Sequence, residues 1–185
     1  MNKIIKKLSI IIITFIVISS CIKDKVESND NELITTMELR FMEQGSAAPV
    51  VFTFDDPDGP GGLAAVQEVI SLEANKTYNL EIVLLDRTKN PVTIISDEVA
   101  EEGYDHRFYT IPSTASNITI SNLDMDINNL PLGLNSTLNT GAVGNGKLRV
   151  VLRHYENGGK EATDPVDSEK SSTDVDIEFN VITHF

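Results

Sequence analysis

The strongest constraint on what this chain can fold into is a period of two. Leu148, Val150 and Leu152 alternate with Arg149, Val151 and Arg153, and Val175, Ile177, Phe179 and Val181 alternate with Asp174, Asp176, Glu178 and Asn180. Successive side chains on a strand point to opposite faces, so this pattern sets an apolar face on a core and a polar face in water. The same alternation runs through Leu33, Thr35, Met37, Leu39 and Phe41, through Val50, Phe52 and Phe54, and through Tyr78, Leu80, Ile82 and Leu84. Phe108 to Ile111, Asn117 to Leu123 and the weaker Leu132 to Thr140 are further runs. Eight such runs, parted by Gly, Pro, Asn and Asp, predict an all-β, antiparallel two-sheet sandwich. Helix signals are few. Ser96 to Gly103 has a serine at its start, acids in its first turn and a glycine at its end, and predicts one short helix. Leu63 to Ile70 fits neither period.

One local motif sharpens the sandwich. Leu72-Glu73-Ala74-Asn75-Lys76-Thr77-Tyr78 precedes an alternating strand. Its spacing resembles the tyrosine corner of fibronectin type III and immunoglobulin-like sandwiches, in which the hydroxyl bonds back to upstream backbone. Asn75 stands where that corner usually has glycine, and asparagine tolerates the left-handed conformation.

The N-terminus carries an address. Lys3, Lys6 and Lys7 form a basic start, Leu8 to Ile18 an apolar run broken only by Ser9 and Thr14, and Ile18-Ser19-Ser20-Cys21 closes it. A plain secretory signal ends in a small-x-small site; a cysteine in that place resembles the lipobox of bacterial lipoproteins. Residues 1–20 are therefore expected to be a signal peptide, and Cys21 to carry lipid that holds the mature chain on a membrane. An uncleaved anchor helix is the alternative, but spanning needs about 20 apolar residues. Residues 21–32, charged and nearly free of apolar side chains, read as a flexible tether. Ile22-Lys23-Asp24 loosely resembles a signal for export to the outer face of the outer membrane. Residues 33–185 are the expected sandwich domain.

Three of the 15 basic residues fall within residues 1–20, so the chain from Cys21 onward carries 12 against 28 acids, a net −16. That excludes nucleic acid and anionic headgroups as natural partners, because both reward a basic surface. Cys21 is the only cysteine, so lipidation would leave neither disulfide nor thiol chemistry. The sequence contains no G-x-S-x-G, H-E-x-x-H or P-loop, and a non-enzymatic protein is expected.

Candidate metal ligands fall into two sets. His106, after the acidic helix, and His154, sharing inward parity with Leu152, would meet at one end of the sandwich and could hold a transition metal or haem. His184 lies on the opposite parity of its strand. Asp124, Asp126 and Asn128 alternate as oxygen donors and resemble the opening of a calcium loop, with Asn129 in place of its glycine and no glutamate at the twelfth position. Asp56 and Asp58, before Gly59, are a shorter version. Arg149 and Arg153 are expected to face Asp174, Asp176 and Glu178 across paired strands. Glu156 to Thr173 is hydrophilic, contains Gly158, Gly159 and Pro165, and reads as a long mobile connection.

Taken together, Leu33 to Thr36, Phe54 to Gly59, Asp105 to Tyr109, Leu148 to His154 and Thr173 to Thr183 resemble segments of a group of small lipoproteins from Bacteroidota. The resemblance spans nearly the whole mature chain. Members sometimes carry a type 1 periplasmic-binding-fold label, and some are similar to accessory lipoproteins encoded beside TonB-dependent receptors. The label implies alternating parallel strands and helices, which the period-two pattern opposes. The accessory role implies a cell-envelope protein at the outer membrane that binds a ligand or a receptor partner. A calcium-stabilised structural or adhesive module is the alternative function.

Overall fold

A computed structural model describes residues 33–59 and 62–185. The expected signal peptide, the tether and Cys21 lie outside the described residues. The described residues are all-β, with two packed sheets and one short α-helix. In order, the first strands are β1 (Thr36–Glu43), β2 (Val50–Asp55), β3 (Val66–Gln67), β4 (Ile70–Glu73), β5 (Thr77–Asp86) and β6 (Thr93–Ile94). Helix α1 (Ile95–Glu101) follows, then β7 (His106–Pro112), β8 (Ile118–Ser121), β9 (Asn135–Thr140), β10 (Gly144–His154) and β11 (Ser172–His184).

One sheet runs β3-β2-β1-β5-β9-β8, with β6 on the end of β5; the other runs β4-β11-β10-β7. All eight alternating runs became strands, and their apolar parities face each other. Met37, Leu39, Phe41, Leu80, Ile82, Leu84 and Leu138 from the first sheet pack with Ile70, Leu72, Phe108, Leu148, Val150, Leu152, Phe179 and Val181 from the second. Burying a side chain of this size stabilises by roughly 1.5–3 kcal/mol against leaving it in water, so the core and not the surface charges holds the sheets together.

Three details depart from the sequence reading. First, β4 pairs with β11 in parallel, in an otherwise antiparallel arrangement. The chain leaves β4 and crosses to the other sheet, so β4 and β5 cannot form a hairpin. The tyrosine corner makes this crossing: Asn75 has φ 59°, and the Glu73 backbone N–H donates to the Tyr78 hydroxyl at 3.1 Å. Second, Ser96 does not cap α1. The N-cap position is Ile94, which is extended and makes no side-chain cap bond, and Ser96 is buried inside the first turn. Third, the stretch between β10 and β11 is anchored along its length, where mobility was expected. The Arg107 guanidinium donates to the carbonyls of Glu161, Ala162 and Asp164, Tyr109 to that of Asp164, and Arg153 to those of Ser168 and Ser171. Tyr155 is fully buried, its hydroxyl 2.7 Å from that of Tyr109. Cationic and phenolic donors rising from the outer face of β7 and β10 satisfy the segment's carbonyls, so a hydrophilic sequence is folded down onto the sheet.

The pairing of β10 with β11 also holds a surprise. Arg149 and Asp176 form the expected bidentate pair, at 2.7 and 2.6 Å. Leu152 lies opposite Val175 but Arg153 lies opposite Thr173, so Asp174 is the extra residue of a β-bulge. Asp174 therefore does not join Asp176 in facing the arginines, and Arg153 instead bonds Ser171 and Thr173.

Candidate functional site

His106 is the first residue of β7 and His154 the last of β10, and the ladder sets them directly opposite each other. Each shares the parity of a core residue, Phe108 and Leu152, so both rings turn inward where the sandwich ends. The rings stack with centroids 4.7 Å apart and planes 19° from parallel. The bulge brings Asp174 to them from β11, its Oδ2 lying 4.0 Å from His106 Nε2. One donor atom from each of the three residues lies within 4.8 Å of the others, and among the described residues this is the one such group of His, Cys, Asp or Glu.

The electrostatics suit ligand binding. His106 Nδ1 lies 3.1 Å from the Glu102 carbonyl. A carbonyl oxygen only accepts, so Nδ1 carries the hydrogen of the neutral ring and Nε2 presents its lone pair to Asp174. Burial holds His106 below the ordinary histidine value, outweighing the raising effect of Glu102 and Asp174. Burial also raises the Asp174 carboxyl, whose side chain keeps 24% of its exposure and so reaches solvent at the rim. Two imidazoles and a carboxylate are donors that transition-metal ions accept.

A buried lysine fixes the frame around this trio. The Lys160 ammonium donates to the carbonyls of Gly103 at 2.5 Å and His106 at 2.8 Å, and pairs with the Asp126 carboxylate at 2.7 Å, both side chains being almost wholly buried. It thereby ties the β10–β11 connection, the α1–β7 corner and the loop before β9 to one charge. Asp126 Oδ1 also accepts the backbone N–H groups of Asn128 and Leu130, at 2.8 and 2.9 Å. Burial pushes its carboxyl up, but Lys160 and these amides outweigh that and leave it below the usual range.

The two oxygen-rich loops are thus placed as follows. Asp124, Asp126 and Asn128 do not converge as a ligand ring: Asp126 turns in to Lys160, Asp124 accepts from the Asn135 amide at 3.0 Å, and Asn128 contributes its backbone to Asp126. Asn129 takes the left-handed conformation, φ 59°, as the glycine it replaces would. Asp56 sits beside Asp58, and burial together with that neighbour raises its carboxyl. Asp58 accepts the Leu63 N–H at 2.9 Å. The histidines are brought together as the sequence reading placed them, whereas Asp174 and Lys160 escaped it. Strict alternation put Asp174 on the outer face, and a lone lysine after two glycines in a polar stretch carries no signal of burial.

No family model, curated protein or solved structure matches the chain.

Proposed function

We propose that the mature chain is a membrane-anchored, non-enzymatic binding module of the bacterial cell envelope, held by lipid on Cys21, that takes its ligand at the His106–His154–Asp174 end of the sandwich. The observation that carries the binding end is the convergence of three donor side chains, from three adjacent strands, on one open rim. The anchor rests on the basic start, the apolar run and the small residues before Cys21. An outer-membrane address beside a TonB-dependent receptor follows the resemblance to accessory lipoproteins and fits an acidic domain with no use for nucleic acid. Strand order supports the immunoglobulin-like form of the sandwich: β1-β5-β9-β8 against β7-β10-β11 runs as A-B-E-D against C-F-G, with β2, β3 and β4 inserted between the first two strands.

The test has two arms. Labelled palmitate should enter the full-length protein in membranes and not its Cys21→Ser variant; equal labelling would remove the anchor. The detergent-purified lipoprotein should be stabilised in thermal melts by at least one member of a panel of metal salts, haemin and envelope extract. That stabilisation should vanish in the His106→Ala/His154→Ala double variant. An equal shift in both proteins would put binding elsewhere.

A further inference from the structure

Resting on that binding reading, we propose that the ligand is a divalent transition-metal ion, with zinc as the type, held by His106 and His154 nitrogens and an Asp174 oxygen with a coordination position left open to solvent. The donor set selects the class. Calcium takes six to eight oxygens and magnesium keeps an oxygen shell, whereas two of the three donors here are imidazole nitrogens. The only cysteine is Cys21, so the thiolates that favour monovalent copper are missing from the trio. Haem fits poorly too. Its axial ligands meet iron edge-on from opposite sides of the macrocycle, whereas these rings stack face to face on neighbouring strands. Imidazole and carboxylate together suit zinc, cobalt and nickel.

The geometry is that of a site one small adjustment from closure. Bonds of about 2.0–2.1 Å in a tetrahedral shell set donors roughly 3.3 Å apart, and the three donors here lie within 4.8 Å. Rotation about the side-chain torsions of His154 and Asp174, which stand at the rim, moves an atom by that difference without moving the ladder. His106 cannot swing in this way and does not need to. Its Nδ1–H is committed to the Glu102 carbonyl, the arrangement by which metal-bound histidines are oriented, and its own carbonyl is held by Lys160. The bulge supplies the third donor. A regular ladder would set Asp174 across from Arg153 on the outer face; the extra residue re-aims its carboxylate at the histidines, a use to which bulges are put beside functional sites. Three protein ligands and a solvent-facing rim describe a site from which the ion can exchange, because closed structural zinc sites use four.

The experiment is titration of zinc into untagged, detergent-purified lipoprotein by calorimetry, with cobalt absorption as a second readout. One equivalent should bind, cobalt should give the intense visible bands of a tetrahedral site, and calcium should give no heat. His154→Ala should abolish the cobalt bands, and Asp174→Asn should weaken zinc by at least ~10-fold. Asp56→Asn should bind as the parent does. His154→Gln, which fills the same space, guards against a folding artefact, and all variants are melted with chelator to show that the fold is intact. Undiminished zinc binding in folded His154→Gln, or calcium binding in preference to zinc, would overturn the proposal. If zinc leaves the melt unchanged while another ligand's stabilisation is lost in the double histidine variant, the metal falls and the binding end stands. If no ligand distinguishes the double variant, both fall.

Discussion

The acidic loop around Asp126 and the histidine end around Asp174 share one corner of the molecule, joined through Lys160, yet they treat a carboxylate in opposite ways. Asp126 is almost wholly buried and is matched by a lysine from the chain itself, with two backbone amides filling its second oxygen. Asp174 stands at the rim, and among the described residues no lysine or arginine pairs with it; its neighbours are two imidazoles, one of which is oriented by a carbonyl behind it. A buried carboxylate must find its counter-charge when the chain folds, because an unpaired ion in the interior costs several kcal/mol. A carboxylate that still reaches water needs no such partner and stays available for a ligand that arrives later. By this criterion the sequence with the better calcium-like spacing is structural, and the scattered histidines mark the end we propose to bind.

The sharpest way to break the contrast is Lys160→Met. It leaves the Asp126 charge buried without its partner, and removing one member of such a pair costs about 3–5 kcal/mol. Urea denaturation should show a correspondingly lower midpoint. A midpoint like the parent's would mean that Asp126 needs no internal cation and that the loop is as available as the histidine end. Acid titration asks the same question more gently. The folded Asp126 carboxyl lies below its ordinary value, so the unfolded chain takes up this proton first. The stability due to the pair is therefore fully present above the unfolded value of about 3.9 and is lost as pH falls through the lower folded one. In Lys160→Met burial is no longer offset by the ammonium, so the acid-induced loss should shrink or reverse, because protonation then relieves an uncompensated buried charge. The smallest effect is expected at the other carboxylate. In chelated protein, Asp174→Asn should shift stability by no more than about 0.5 kcal/mol, as for other surface positions. A loss of several kcal/mol there would make Asp174 a structural residue.

Much of the fold was legible. Period two located every long strand, and the Leu72 to Tyr78 spacing located the crossing between sheets down to the hydroxyl that pins it. Helix α1 was found, with its cap misassigned, because Ser96 looks like an N-cap in sequence but is drawn into the first turn where it packs. The parallel β4 was missed because four residues with two apolar side chains are too short to declare a period. The β10–β11 connection was misread for a different reason. Its residues are polar, but the groups that hold it down, Arg107, Tyr109 and Arg153, belong to strands up to 57 positions away in sequence, as for Arg107 and Asp164.

Residue types and spacing alone determined that this is a β-sandwich with a corner at Tyr78 and that His106 and His154 point inward at strand ends, and they carry the N-terminal resemblance to a lipoprotein signal on which the proposed anchor rests. Those properties are local: each is read within one stretch of chain, from the two-fold alternation of a strand, the spacing of Leu72 to Tyr78, or the run that ends at Cys21. The identity of the third donor, and the fate of Asp126, depended on the tertiary structure. Whether Asp174 faces arginine or histidine turns on a single extra residue in the pairing of β11 with β10, and whether Asp126 is free turns on a lysine delivered by a segment folded back over the sheet. Register and long-range burial are set by the whole core at once, so no window of sequence contains them.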